Sequence, residues 1–113
     1  MEQYVCLTPY RELRHGSESL FTHVRAPREL PLRVKQYLSL GRLWKFIPGI
    51  YRHPFTGKEL VGPALMGDGV KYTWDRDTLE YAERYGLALP ADFVEYVMSG
   101  EGFANLCRMR RMA

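Results

Sequence analysis

Three histidines offer the most versatile chemistry in this chain: His15, His23 and His53. Imidazole titrates near neutral pH, transfers protons and ligates metals. Their separations of 8 and 30 residues match neither H-x-x-x-H nor a Cys/His zinc spacing, so the sequence implies no metal and no cofactor. His53 lies in the most varied segment, Tyr51-Arg52-His53-Pro54-Phe55-Thr56-Gly57-Lys58. Pro54 and Gly57 restrict its shape, and a restricted loop loses less entropy on binding. Tyr51, Arg52, His53, Phe55 and Lys58 are therefore the predicted binding residues. Thr56-Gly57-Lys58 is not a phosphate loop. Seven residues separate Gly49 from Gly57, and Glu59 stands where a magnesium-binding hydroxyl is required.

Asp75-Arg76-Asp77 supplies two close carboxylates, the minimum for an acid/base pair. The competing reading is local: Asp77 and Glu80 have the D-x-x-E spacing of a helix capping box. Cys6 and Cys107 lie at opposite ends among apolar neighbours and read as free thiols without a partner base. None of the four serines stands in G-x-S-x-G. Arg108, Arg110 and Arg111 form the one basic cluster, placed to complement the negative end of a final helix or to meet nucleic acid. Tyrosine supplies eight of the aromatic residues. Some of these are expected to reach the surface, and Tyr10, Tyr51, Tyr81 and Tyr96 have polar neighbours: partial burial with the hydroxyl in water competes with an exposed surface on which Tyr and Arg together favour protein contacts.

These side chains must be held by a fold of one domain, which 113 residues support without a disulfide or metal. Gln3–Leu7 and Leu20–Arg25 alternate as short strands. A helix is expected from Pro31 to about Leu40, with Val34, Tyr37, Leu38 and Leu30 inward and Gly41 as its stop. Glycine and proline occupy 9 of the 29 positions from 41 to 69, which excludes a helix there. Strands at Leu43–Ile47 and Glu59–Met66 fit, the second interrupted by Gly62-Pro63. Gly67-Asp68-Gly69 signals a turn before Val70–Trp74, where Val70, Tyr72 and Trp74 are expected inward and Lys71 and Thr73 outward. The last third is helical. Thr78–Tyr85 ends at Gly86, Pro90 opens a helix bearing Phe93, Val94, Val97 and Met98, and Phe103–Met112 follows a break at Ser99–Gly102, with Phe103, Leu106 and Cys107 inward. The fold class is α+β, with a small, mainly antiparallel sheet packed by one helix from the middle and two to three from the C-terminal third.

Tyr85–Val97, with its Leu89-Pro90 helix start, resembles the helix–Leu-Pro–helix segment of the SMI1/KNR4-type immunity proteins over about a tenth of the chain. In that family the segment comes early and strands follow it. The resemblance implies a role in binding a protein.

A net charge of +3 is small, and no apolar run approaches the roughly 18 residues of a membrane span. The start, Met1-Glu2-Gln3-Tyr4, carries no basic or apolar leader, so a bacterial-type cytoplasmic location is expected. The function that fits best is a non-enzymatic, protein-binding module, immunity- or regulator-like, whose partner is another protein or a second copy. The alternatives are a nucleic-acid-associated protein using the C-terminal arginines, and a small enzyme with His53 or Asp75/Asp77 in a pocket.

Overall fold

The structure, a computed structural model, describes residues 3–112. Its sheet is four-stranded: β1 (Val5–Cys6), β6 (Tyr72–Asp75), β5 (Ala64–Gly67) and β2 (Arg42–Phe46), in that spatial order. β5 pairs antiparallel with both β2 and β6, and β1 runs parallel to β6. A separate hairpin joins β3 (Ile50–Arg52) to β4 (Glu59–Val61). Four helices complete the α+β fold: α1 (Leu32–Ser39), α2 (Thr78–Tyr85), α3 (Ala91–Met98) and α4 (Gly100–Met112). Among the described residues no helix is long and apolar enough to cross a membrane.

The main apolar cluster lies between the sheet and the helices. It joins Val34, Tyr37 and Leu38 of α1 to Tyr72 and Trp74 of β6, Phe93 and Val97 of α3, and Leu106 and Met109 of α4. A second, smaller cluster gathers Tyr10, Leu13, Leu20, Tyr51, Tyr81 and Leu87 beneath the N-terminal turns and the β3–β4 hairpin.

The β5–β6 turn is built by one carboxylate. Asp68 Oδ1 accepts the amides of Val70, Lys71 and Tyr72, and Oδ2 accepts the Tyr37 hydroxyl at 2.5 Å. That hydroxyl in turn accepts from Asn105 of α4 at 2.7 Å. One turn residue thus ties sheet, α1 and α4 together, and burial together with Asp68 pushes the Tyr37 hydroxyl far above the usual tyrosine range.

Several expectations are corrected. Leu20–His23 is a 3-10 turn, not a strand, because local side-chain bonds capture its backbone. Glu12 accepts the Leu20 amide and the Ser19 hydroxyl, and Thr22 donates to the Ser19 carbonyl. Only Val24 stays extended, bridging Leu87. Thr73 is buried rather than outward, since β6 has a strand on each side and cover on both faces, while Val70 is half exposed in the turn. Gly41 is not a left-handed stop. Its role is steric: a Cβ there would come within 2.5 Å of the Trp74 ring. Asp77 makes no capping hydrogen bond with its side chain, and Glu80 turns to His53 instead. Helix α4 begins at Gly100, because Gly102 allows α3 and α4 to touch: a Cβ there would lie 2.0 Å from the Tyr96 carbonyl. That register leaves Phe103 half exposed under the Arg33 guanidinium, and Met98 is also half exposed. Strand β3 was not expected at all.

Candidate functional site

The Asp75/Asp77 segment sits where β6 runs into α2, beneath the N-terminal turns. Asp75 is completely buried, and it organises its surroundings. Oδ1 is hydrogen-bonded to His15 Nε2 at 2.8 Å, and Oδ2 accepts the Asp77 amide at 2.9 Å. The Asp75 amide donates to Thr8, and its carbonyl accepts the Thr78 hydroxyl at 2.6 Å. The side chains of His15 and Asp75 have no exposed surface. Burial and the Asp75 charge together raise Asp77 above the usual aspartate range and push Tyr81 far above the usual tyrosine range. The arrangement excludes further anions and offers no substrate access to Asp75. Its evident task is to lock the N-terminal turns onto the sheet. His15 was invisible as a partner because 60 residues separate it from Asp75.

The predicted binding loop divides into two sets. Tyr51 and His53 are buried, and so are Tyr10 and Tyr81, which correct the expectation of surface tyrosines. His53 Nε2 meets Glu80 at 2.9 Å, while Nδ1 accepts the amides of Phe55 and Thr56 and so shapes the turn. Phe55 stacks flat on Tyr85, with centroids 4.4 Å apart. The Tyr51 hydroxyl receives a long bond from Arg76 at 3.4 Å. Of the five predicted residues, Arg52 and Lys58 are exposed. Tyr51, Arg52 and His53 line an open groove of about 570 Å³ together with Glu12, Arg14 and Phe21 of the N-terminal turns. Phe55 and Lys58 do not line it.

A different surface is the more apolar one. β2 is an edge strand, and all five of its residues are exposed. Leu43, Trp44 and Phe46 are 49–63% exposed. Phe46 lies over Gly62, where a Cβ would come within 2.1 Å of its ring, and this joins β2 to the hairpin base. There Ile50 pairs with Val61, both more than half exposed. Trp44 sits at a register shift between Leu43 and Lys45 and packs at a tilt against Tyr4, with ring centroids 4.5 Å apart. Among the described residues Lys45 and Arg42 form no ion pair, and the Arg42 guanidinium donates to the Met112 carbonyl. The signal for this surface was present in the sequence. Arg42-Leu43-Trp44-Lys45-Phe46 places large apolar residues on both faces of a strand too short to bury them.

Of the C-terminal arginines, Arg108 is engaged internally, donating to the Asn105 side chain and the Asp68 carbonyl. Arg110 and Arg111 are exposed in the last turn of α4. Among the described residues no group of three or more His, Cys, Asp or Glu side chains is placed to hold a metal ion. Both cysteines are free and partly buried. Comparison with family models, with curated proteins and with solved structures returns no match for this chain.

Proposed function

We propose that this protein binds a partner protein by accepting an extended segment of it along the open edge of β2. The observation that carries this reading is the exposed apolar run of Leu43, Trp44 and Phe46 on a strand that pairs with β5 on one side and, among the described residues, with no strand on the other, continued by Ile50 and Val61. An open, apolar edge offers backbone hydrogen bonds and side-chain contacts at once. Monomeric proteins rarely leave such a patch without use. Arg42 and Lys45 add two positive charges to the strand and β2 contains no acid, so the partner segment is acidic as well as apolar. A second copy would bring four like charges together across the new pair of strands, which disfavours self-pairing. A module of this kind acts by occupying its partner, as a regulator or immunity-type protein does.

The test is selection from a library of extended peptides that alternate acidic and apolar residues, followed by hydrogen exchange on the complex. The expected result is slowed exchange of β2 amides and a blue shift of Trp44 fluorescence, both lost in Trp44→Ser/Phe46→Ser. Binders that ignore this double variant, or that protect other amides, would overturn the proposal. Concentration-dependent dimerisation through β2 without peptide would replace it with self-association.

A further inference from the structure

We propose that the groove between the N-terminal turn and the β3–β4 hairpin binds an organic anion, a carboxylate or phosphate carried on an apolar body of about the size of a phenyl ring. The groove measures about 570 Å³, enough for such a molecule. Two guanidinium groups line it. Arg14 donates one bond to the Ile50 carbonyl at 2.9 Å, and Arg52 donates one to the Gly57 carbonyl at 3.0 Å. Each anchor holds its arginine against the hairpin and leaves further N–H donors of the planar fork unused. Among the described residues Arg14 has no carboxylate within ion-pair distance, and Arg52 approaches Glu59 only at 3.8 Å, with both side chains largely in solvent. Glu12, the one acid on the wall, is already satisfied: Oε1 accepts the Leu20 amide and Oε2 the Ser19 hydroxyl. The apolar part of the site comes from Phe21 and Ile50, both more than half exposed at the rim.

The backbone supplies an independent observation. Arg14 has φ of 61°, and it is the one non-glycine residue with positive φ among those described. That conformation is costly for a residue with a Cβ, and such costs cluster at ligand sites. Here it closes the 3-10 turn through the Arg14 amide to the Arg11 carbonyl and sends the side chain across to the hairpin. Glycine would satisfy this turn with less strain, but it would lack the guanidinium that reaches the Ile50 carbonyl and lines the groove.

Amide-resolved NMR at low ionic strength tests the site with three probes: phenyl phosphate, phenylacetate and the neutral 2-phenylethanol. At least one anion should give saturable shifts at Arg14 and Ile50–Arg52 at millimolar concentration, and the neutral probe should give none. Arg14→Gln and Arg52→Gln should each weaken binding roughly tenfold or more, the loss of one charge-assisted contact. Arg52 is exposed on a strand, so R52Q decides the matter if R14Q disturbs the turn. Which anion binds better tells a phosphate from a carboxylate ligand. Equal shifts with the neutral probe, unchanged affinity in R52Q, or no saturable shift with either anion would overturn the proposal.

Discussion

The imidazole of His15 and the carboxylate of Asp75 meet at 2.8 Å across 60 residues of sequence, with neither side chain exposed. The contact fixes the N-terminal turns, which make only short 3-10 elements of their own, onto the one strand that is enclosed on both faces. Among the described residues His15 Nδ1 has no hydrogen-bond partner, so the link rests on a single ring nitrogen.

Removing either member leaves the other buried without its partner. Asp75→Ala should cost about 3–5 kcal/mol, as for one half of a buried pair, and His15→Ala a comparable amount. The double variant should cost less than the sum by about 0.5–3 kcal/mol. Urea denaturation of the four proteins measures this coupling, and strict additivity would show the contact to be energetically idle.

Two buried tyrosines should respond in opposite ways to loss of their hydroxyls. Tyr81 has a buried hydroxyl without a hydrogen-bond partner among the described residues, so Tyr81→Phe should be neutral or stabilise the fold. The Tyr37 hydroxyl joins Asp68 to Asn105, so Tyr37→Phe should cost about 1–3 kcal/mol. Thermal melts of the two variants beside the parent make the comparison.

Acid should weaken the fold through Glu12 and Glu83. Burial works to raise Glu12, but the Leu20 amide and Ser19 hydroxyl outweigh it and hold the carboxyl below its ordinary 4.5. The Leu30 amide and then Lys35 lower Glu83 in the same way. A depressed carboxyl contributes stability above its unfolded value and loses it as pH falls through the folded one. Asp77, raised by burial and by Asp75, runs the other way and partly offsets the loss. The melting temperature should therefore fall from about pH 5 to about pH 3, less steeply in Glu12→Gln or Glu83→Gln and more steeply in Asp77→Asn.

The exposed and enclosed aromatic residues should differ sharply in their value to stability. Phe93 is fully buried between Tyr37, Tyr72 and Trp74, and Phe93→Ala should cost about 3–5 kcal/mol. Lys71 stands on the surface beside the rings of Tyr72 and Tyr96, and Lys71→Ala should stay within about 0.5 kcal/mol. Equal midpoints in chemical denaturation would contradict this placement of the core.

The helical half of the molecule was legible in the sequence because its signals are local. Pro31, Gly86 and Pro90 mark helix ends by their own backbone preferences, and Val34, Tyr37, Phe93 and Val97 follow helical spacing. The N-terminal third was not, because its structure is decided by distant or non-periodic contacts. Leu20–Arg25 has the alternation of a strand, but Glu12 and Ser19 win its amides. The 51–58 loop stands out in the sequence by its composition alone. Its His53 and Tyr51 are nonetheless consumed in packing, because Glu80 and Tyr81 of α2 arrive from outside the segment. The groove owes as much to Arg14, whose neighbours in sequence give no hint of it.

Neighbouring residues of α2 belong to different apolar clusters: Tyr81 to the smaller one and Ala82 to the larger. One helix thus serves as the common wall of both. Loosening it exposes the two interiors together, so neither can open fully while the other stays closed. The two clusters should consequently unfold as one cooperative unit, even though the N-terminal turns contain almost no regular secondary structure.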